Sequence, residues 1–317
     1  MAGEPDRTAG TQSDPLPERA ALIMNPTSGR GAGASMVQRL PDALAAAMPG
    51  TAWSVLTTER SGHARELAAA AARNGARLLV AAGGDGTVGD VAAEAAVAGV
   101  EMGVIPAGTG NDLARHYGIP LNMAEAVAAL AQSRVVEMDM GQANDRPFVN
   151  ISGCGFDAVV ASRTNRGFRF LKGHAAYTAA TFLELMRFRP AAFLLRVDGI
   201  EHRGRAMLCT VANTSSYGGG MLIAPEADAS DGLLDACVLW QVTKLEFARA
   251  FPLVFKGEHV HHPRVTMLRG RVIEVESDPP MPILIDGEVA GRTPVRFSVR
   301  PKALRLRVPL VDAGRRP

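Results

Sequence analysis

Three short segments rich in glycine and hydroxyl side chains have the composition of phosphate-binding loops. They are 25–29 (Asn-Pro-Thr-Ser-Gly), 83–87 (Gly-Gly-Asp-Gly-Thr) and 107–112 (Ala-Gly-Thr-Gly-Asn-Asp). Glycine lets main-chain N–H groups approach a phosphate, and Ser and Thr hydroxyls add further donors. Asp85 and Asp112 would repel a phosphate unless a cation bridged them, and Mg²⁺ prefers such oxygen ligands. The loops therefore predict a site for a phosphorylated ligand together with Mg²⁺.

Each of these loops follows a short apolar run that is typical of a buried strand. Strands are predicted at 20–24, 52–57, 77–82 and 102–106, and helices at 35–47, 63–74 and 88–98. This alternation predicts a parallel sheet with helices on both faces, and such sheets bind ligands beyond the carboxyl ends of their strands. One glycine-rich turn is weak evidence, but three at one sheet edge favour a ligand site.

Two common nucleotide-binding motifs are missing or incomplete. No Gly-Lys-Ser or Gly-Lys-Thr occurs in the chain, which argues against a Walker P-loop. Segment 29–33 is superficially similar to a dinucleotide fingerprint, but no acidic partner for a ribose follows at the required distance. An NAD-dependent dehydrogenase is therefore disfavoured.

The second half of the chain has the pattern of a β-sandwich. Short strands are predicted at 148–152, 193–198, 206–213, 234–240, 272–276, 283–285 and 304–308, with one helical passage at 174–189. Asp198-Gly199 and Asp286-Gly287 are strong signals for two-residue hairpin turns. The predicted fold class is thus α/β plus all-β: a doubly wound parallel-sheet domain followed by an antiparallel β-sandwich domain.

Length, composition and charge limit the classes of protein to which the chain can belong. The 317 residues are 47% hydrophobic, enough for two domains, which we expect at 19–142 and 143–311, with the last strand able to return toward the first domain. We expect loose tails at 1–18, which lacks the apolar core of a signal peptide, and at 312–317. The net charge of +2 argues against nucleic-acid binding through bulk charge, and no apolar run reaches the roughly 20 residues of a membrane span.

Cysteine and histidine usage gives little support for metal or disulfide chemistry. The three cysteines, Cys154, Cys209 and Cys237, form no CxxC pair, so a disulfide framework or thiolate zinc site is disfavoured and a reducing cytosol is favoured. His259, His261 and His262 lack a suitably spaced fourth zinc ligand, and a structural loop is the better interpretation.

In combination the loops resemble the diacylglycerol kinase catalytic-domain family, which includes soluble bacterial lipid kinases and sphingosine and ceramide kinases. Further matching pieces are 231–235 (Asp-Gly-Leu-Leu-Asp), 286–288 (Asp-Gly-Glu) and the run from Gly257-Glu258-His259 to Pro263. These pieces follow the family order from about Ala20 to Val308. Gly-Gly-Asp-Gly-Thr alone would also be similar to NAD kinases and phosphofructokinases.

The resemblance implies an ATP-binding α/β domain, a β-sandwich that receives a lipid, and an active site in the cleft between them. It implies that Asp85 and Asp112 belong to the Mg²⁺ and phosphate network, and that Glu288 is the general base for the lipid hydroxyl. It implies a structural Mg²⁺ ligand at Asp231, completed by carbonyls of Asp228 and Leu233. The implied nucleotide site comprises Asn25, Pro26, Thr27, Ser28, Gly29, Thr58, Gly83, Gly84, Asp85, Gly86, Thr87, Val88, Gly89, Gly108 and Thr109.

The leading hypothesis is an ATP- and Mg²⁺-dependent kinase of phospholipid metabolism, with diacylglycerol as acceptor and phosphatidic acid as product. An NAD kinase-like enzyme is one alternative. A catalytically decayed nucleotide- or lipid-sensing module is the other, because Gly89 stands where the family commonly has Asn, and Ser230 where bacterial relatives have a second aspartate. We expect a cytoplasmic protein that visits the inner face of the membrane, binds no nucleic acid and is compatible with a homodimer.

A basic stretch precedes the predicted helical passage. Arg163, Arg166, Arg169 and Lys172 recur every third residue, just before the apolar residues of 182–186. A cationic rim beside an apolar groove would suit a membrane lipid. A solvated basic face beside a core helix explains the same pattern, and the sequence alone slightly favours it.

Overall fold

The computed structural model describes residues 12–29, 32–167 and 184–310, which divide into two compact units. Described residues up to Met138 and from Ala303 onward form the first unit, and Asp139–Lys302 form the second. The chain therefore passes twice from one unit to the other. Among the described residues, no helix is both long and apolar enough to cross a bilayer.

The first unit alternates strands with helices. Its elements are β1 (Arg19–Met24), α1 (Ala32–Ala47), β2 (Ala52–Thr57), α2 (His63–Arg73), β3 (Leu78–Gly83), α3 (Asp85–Ala98), β4 (Glu101–Pro106), α4 (Asp112–His116) and α5 (Met123–Ala131). The strands lie in the order β2-β1-β3-β4 and are all parallel. β3 and β4 are buried along their whole length, as expected for strands covered on both faces. The predicted parallel α/β sheet is confirmed.

The second unit is built mainly from antiparallel strands. Its elements, with the two strands shared between the units, are β5 (Ser133–Ala143), β6 (Arg146–Phe148), β7 (Ile151–Gly155), α6 (Phe156–Gly167), β8 (Ala191–Val197), β9 (Ile200–Ala212), β10 (Leu234–Trp240), α7 (Lys244–Ala250), β11 (Val265–Gly270), β12 (Val272–Asp278), β13 (Pro282–Ile285), β14 (Glu288–Arg292) and β15 (Val295–Pro309). Two short 3₁₀ helices, Phe251–Lys256 and Glu258–His261, follow α7.

The long strand β9 makes the second unit a sandwich. Its first half pairs with β8, up to Ala206, and its second half pairs with β7 and β10, up to Ala212. A strand that passes from one sheet to the next is a common way of making the corner of a β-sandwich. A cluster of buried apolar side chains that includes Phe193, Val211 and Phe297 forms the core. The predicted antiparallel sandwich is confirmed.

Local details of the second unit match the sequence patterns unevenly. Both predicted Asp-Gly hairpins form, with φ positive at both turn residues, as a type I′ turn requires. The strand predicted at 148–152 was placed too early, because β7 runs from Ile151 to Gly155. Of the helical passage predicted at 174–189, the structure describes a helix only at 184–187. Arg169, Lys172 and the side chains of Arg163 and Arg166 lie outside the described residues.

A buried arginine in the returning end of β15 completes the first unit. The Arg307 guanidinium is fully buried, and its Nε donates to Glu101 Oε2 at 2.7 Å. Its other nitrogens donate to Ser133 Oγ at 3.1 Å and to the Pro15 carbonyl at 2.6 Å. Arg305 bonds the second oxygen of Glu101 at 2.9 Å but is about half exposed, 51% of its side chain. Arg307 therefore joins three separate parts of the chain.

We expect Arg307→Met to lower the free energy of unfolding of the first unit by about 3–5 kcal/mol, because it leaves Glu101 with a buried, unpaired oxygen. The control Arg305→Met should cost less than about 1 kcal/mol, because water can replace an exposed partner. Urea denaturation followed by Trp53 fluorescence, in a Trp240→Phe background, reports the first unit alone. Equal losses of unfolding free energy in the two variants would show that the burial of Arg307 does not set its contribution to stability.

Candidate functional site

The three predicted loops meet at the carboxyl edge of the sheet in the first unit. β1, β3 and β4 are neighbours, so the segments that follow them emerge side by side. The N–H of Asn25 donates to the Ala82 carbonyl at 2.9 Å, and the N–H of Ala107 donates to the Gly83 carbonyl at 2.8 Å. Main-chain hydrogen bonds thus hold the start of each loop against its neighbour.

Two of the loops touch through glycine backbone. A Cβ added to Gly108 would lie 2.6 Å from the Cα of Gly84, and one added to Gly84 would lie 3.4 Å from the Cα of Gly108. The first distance is shorter than any real Cβ contact, so a side chain at Gly108 would force the loops apart. This close approach keeps the main-chain donors of both loops together.

The Asn25 side chain links the first loop to the second. Its Nδ2 donates to Thr87 Oγ1 at 3.3 Å, while its Oδ1 accepts from the N–H and the hydroxyl of Thr27 at 3.0 and 2.8 Å. Thr58 follows β2 at the same edge, and its N–H donates to the Met24 carbonyl at 2.8 Å. Several predicted nucleotide-site residues are therefore parts of one hydrogen-bonded assembly.

The Asp85 carboxylate joins the second loop to the third. Its Oδ1 accepts from the N–H of Asp112 at 2.8 Å and its Oδ2 from the N–H of Asn111 at 3.0 Å. A Cβ added to Gly110 would lie 2.4 Å from Asp85 Oδ2 and 3.3 Å from Asp112 Oδ2. The two predicted catalytic aspartates therefore converge on one space beside Gly110.

This pair of carboxylates suits Mg²⁺. The ion is usually held in kinases by one or two carboxylates together with substrate phosphates and water. No group of three or more His, Cys, Asp or Glu side chains that could hold a metal occurs in the described parts of the chain. Two converging carboxylates within a glycine-rich loop cluster nevertheless supply the oxygen donors that Mg²⁺ needs beside a bound phosphate. The first turn of α3, with Gly86, Thr87 and Val88, begins at the same place.

Glu288 lies in the second unit, at the start of β14. Its side chain is exposed, and its Oε2 is 3.5 Å from Nη2 of Arg146, which is also exposed. The preceding turn is fixed, because the Asp286 carboxylate accepts main-chain N–H bonds at 2.7–3.1 Å from three consecutive residues, Val149, Asn150 and Ile151. A solvent-facing carboxylate is thus carried on a rigid turn.

The loop predicted as a structural metal site already has partners for its carboxylates. Asp228 Oδ1 accepts from the N–H and the hydroxyl of Ser230 at 3.0 and 2.6 Å, and Asp231 Oδ1 accepts from the N–H of Leu233 at 2.9 Å. Arg269 places a guanidinium nitrogen 3.8 Å from Asp231 Oδ2. This arginine balances part of the negative charge of the loop. The assignment of a structural Mg²⁺ to Asp231 and to the carbonyls of Asp228 and Leu233 stays a prediction.

An apolar pocket in the second unit was not predicted from the sequence. Its cavity volume is about 90 Å³, and the pocket is partly open to solvent. Its walls come from α6, β9, β10, α7 and the following 3₁₀ helix. The main apolar lining residues are Phe156, Leu208, Leu239, Phe247, Phe251 and Val254. Apolar spacing indicated only that such residues are buried, and cannot distinguish a filled core from a cavity wall.

The pocket also contains polar groups that lack partners. Asp157 Oδ1 accepts from the N–H of Ala158 at 2.8 Å, but its Oδ2 is shielded from solvent and has no hydrogen-bond partner among the described residues. Burial raises the pKa of the Asp157 carboxyl to about 6. His259 bonds the Ile223 carbonyl through Nε2 at 3.1 Å, while its Nδ1 has no such partner. Burial also lowers the pKa of His259.

The three cysteines of the second unit are buried, and Cys237 also lines the pocket. All three thiols are free and buried. Burial raises the pKa of Cys237 to about 12, and it raises the pKa of Cys154 and Cys209 as well. Neutral thiols of this kind behave as small apolar side chains.

Two family models match the chain in sequence. The diacylglycerol kinase catalytic domain matches residues 19–143, and the YegS C-terminal NAD kinase beta sandwich-like domain matches residues 150–308. A diacylglycerol kinase of Mycobacterium tuberculosis is 36% identical over 296 residues, which cover 91% of this chain and 94% of that protein. A diacylglycerol kinase of Staphylococcus aureus is 30% identical, covering 88% of this chain and 89% of its own length.

A solved structure has the same fold. A diacylglycerol kinase from Bacillus anthracis str. Sterne superposes with a TM-score of 0.75, covering 93% of this chain and 98% of that chain. At 24% sequence identity, this likeness concerns the fold alone.

We expect Gly108→Ala to bind ATP at least tenfold more weakly than the unmodified chain, because the added Cβ would push Gly84 and its N–H donors away. Gly50→Ala is a matched control, since nothing lies within 4 Å of a Cβ at that position. Titration calorimetry with a non-hydrolysable ATP analogue measures both variants. Unchanged affinity in Gly108→Ala would show that the close contact is unnecessary.

A second expectation concerns pH and the buried carboxyl in the second unit. The pKa of Asp157 is raised in the folded chain, from 3.8 to about 6, so its protonated form favours folding below pH 4 and that contribution is lost as pH rises through 6. Asp157→Asn should therefore gain roughly 1–3 kcal/mol relative to the unmodified chain between pH 4 and pH 7. The gain is measured by urea unfolding at several pH values.

The exposed aspartate Asp145 offers a comparison within the same unit. Asp145→Asn is measured alongside it as the exposed control. If the two variants follow the same pH profile, the buried carboxyl is not responsible for it.

Proposed function

The chain belongs to the diacylglycerol kinase family, and on that premise we propose that it is an ATP- and Mg²⁺-dependent lipid kinase. It transfers the γ-phosphoryl group of ATP to the hydroxyl of a lipid at the bilayer surface, with diacylglycerol as acceptor and phosphatidic acid as product. The apolar pocket is the observation that favours a lipid acceptor. Its aromatic and aliphatic lining would add nothing to the binding free energy of a polar acceptor such as NAD.

On the donor side, the joined loops of the first unit are proposed to hold the phosphates of ATP. Phosphoryl transfer requires positioning and stabilisation of charge more than covalent chemistry, and fixed main-chain N–H groups supply both. Bound Mg²⁺ would neutralise charge on the transferred group, and Asp85 and Asp112 are the residues that would hold it. The remaining proposed contacts are Asn25, Pro26, Thr27, Ser28, Gly29, Thr58, Gly83, Gly84, Gly86, Thr87, Val88, Gly89, Gly108 and Thr109.

On the acceptor side, Glu288 is proposed as the general base. An aliphatic alcohol is a poor nucleophile at neutral pH, so a positioned carboxylate that takes its proton accelerates transfer. The turn fixed by Asp286 gives Glu288 a rigid support. The contact with Arg146 is 3.5 Å long between exposed groups, so it costs little to break.

The acceptor is tested with purified chain, radiolabelled ATP and a panel of acceptors: dispersed diacylglycerol, a sphingoid base, NAD and no acceptor. We expect labelled phosphatidic acid, and its loss when EDTA removes divalent ions. Label transferred to NAD would favour the NAD kinase alternative. ATP binding without transfer to any acceptor would favour a sensing module.

In the same assay, Glu288→Gln should lower turnover of the lipid at least 100-fold, because general-base catalysis contributes about 10²–10⁴ in rate. Its affinity for ATP should stay within about twofold, since Glu288 is proposed to act on the lipid hydroxyl and not on the nucleotide. Glu274→Gln is the control, because Glu274 is also a partly exposed glutamate of the second unit paired with an arginine, Arg296, at 3.7 Å. Full activity in Glu288→Gln would contradict the assignment of Glu288 as the general base.

A further inference from the structure

One peptide bond in the third loop lies between a cation and an anion. It joins Gly110 to Asn111 and is trans, so its carbonyl and its N–H point in opposite directions. The carbonyl accepts from Nε of Arg115 at 2.9 Å, and the N–H donates to Asp85 Oδ2 at 3.0 Å. Arg115 and Asp85 therefore bond the same peptide from its two opposite sides.

The backbone conformation of Asn111 shows that this orientation of the peptide needs support. Its φ is +54°, in the left-handed region that side-chain-bearing residues seldom adopt and that asparagine tolerates better than most. Rotation of the peptide would change this φ together with the ψ of Gly110, and glycine restricts such a rotation very little. The local sequence alone therefore does not prevent the peptide from turning its N–H away from Asp85.

The Asn111 side chain fixes a different part of the loop. Its Oδ1 accepts from the N–H of Gly108 at 2.8 Å, and its Nδ2 donates to the Gly108 carbonyl at 3.0 Å. Both bonds hold Asn111 against Gly108, and neither involves the carbonyl of Gly110. That carbonyl is bonded by the side chain of Arg115.

The short helix α4 places Arg115 where it can reach back to the loop. The main-chain N–H of Arg115 donates to the Asn111 carbonyl at 3.0 Å, while its side chain bonds the carbonyl of Gly110. One residue therefore bonds two consecutive carbonyls, one through its backbone and one through its guanidinium. Arg115 is exposed, so its side chain can be replaced without leaving a cavity in the core.

We infer that Arg115 is a positioning residue that keeps the Gly110–Asn111 peptide turned so that its N–H stays on Asp85. A carboxylate that accepts from the N–H groups of both Asn111 and Asp112 is held in one orientation, as a metal ligand prepared before binding requires. Arg115 acts on Asp85 through the peptide, from its opposite side. The inference rests on the proposed function for its role in catalysis, whereas the peptide orientation is measured without nucleotide.

The test is amide hydrogen exchange of the full chain, followed by NMR after selective isotope labelling of asparagine and aspartate. In Arg115→Met, exchange of the Asn111 amide should become at least about tenfold faster, because its bond to a charged carboxylate is lost. The Asp112 amide donates to the other oxygen of Asp85, so its exchange rate should stay within about twofold. General loosening of the loop would instead expose both amides.

Two further variants serve as controls. Arg115→Lys retains a cationic donor at this position and should restore slow exchange of the Asn111 amide. Arg19→Met removes another exposed arginine of the first unit that donates to a main-chain carbonyl, that of Asn74, at 2.8 Å. It should leave the exchange rate of the Asn111 amide unchanged.

A second measurement reports on the proposed Mg²⁺ site. Titration calorimetry compares the binding of a non-hydrolysable ATP analogue in the presence of Mg²⁺ and in the presence of EDTA. Arg115→Met should weaken binding about tenfold with Mg²⁺ and hardly at all with EDTA, because only the metal-dependent complex requires the orientation of Asp85. In the lipid kinase assay, kcat should fall while the KM for diacylglycerol stays the same.

The outcomes distinguish this inference from the proposed function. Slow exchange of the Asn111 amide in Arg115→Met would overturn the inference, and so would an equal loss of protection at Asn111 and Asp112. Selective loss at Asn111 without any change in the Mg²⁺-dependent affinity would overturn the effect on Asp85. If the unmodified chain phosphorylates no lipid, the proposed function fails, and the exchange rates still decide whether Arg115 orients the peptide.

Discussion

The first unit depends on one carboxylate that serves two loops at once. Asp85 stands at the start of α3, and its two oxygens accept the N–H groups of Asn111 and Asp112 in the next loop. Main-chain donors stabilise a phosphate only when they are fixed before it binds, because otherwise binding must also order the loop. The glycine contact between Gly84 and Gly108 would be of no use if the loops moved independently. Asp85 supplies the connection that prevents this.

The main feature of the second unit is an apolar pocket that its buried side chains do not fill. Aromatic and aliphatic residues on α6, α7 and β10 shield the Asp157 Oδ2 atom from solvent, yet they enclose a pocket beside it. Protein interiors are normally close-packed, so an apolar cavity of about 90 Å³ is an exception within this core. The walls are mainly apolar, and the unpartnered Asp157 oxygen is a polar group within them.

Sequence patterns predicted elements whose physics is local. β1, β3 and β4 were predicted because strands covered on both faces are continuous apolar runs, and the Asp-Gly turns because positive φ favours those residue pairs. The short α4 was not predicted, and neither was α5, whose alanine-rich sequence shows no clear stripe and whose Asn122 cap is a single residue. β9 was predicted from residue 206, because its first half is polar and exposed and has the composition of a loop.

The features of the candidate site also fall into two groups, those that local sequence predicts and those that depend on tertiary contacts. Residue types and spacing were enough to select Asp85, Asp112 and the glycines, because a phosphate loop needs particular side chains at adjacent positions. The convergence of Asp85 and Asp112 beside Gly110 depends on tertiary contact, as do the pocket and the orphan oxygen of Asp157, and no sequence period encodes them. Glu288 was selected by motif, and its catalytic role stays a prediction.

The return of β15 to the first unit has a consequence for how the protein is made. A ribosome releases the residues around Arg307 after all of Asp139–Lys302, yet Arg307 is needed beside Glu101 and Ser133. A nascent chain can therefore assemble its sandwich before its parallel sheet is whole. Unfinished polypeptides would lack the cation that pairs with the buried Glu101, so the first unit would be incomplete in a stalled translation product.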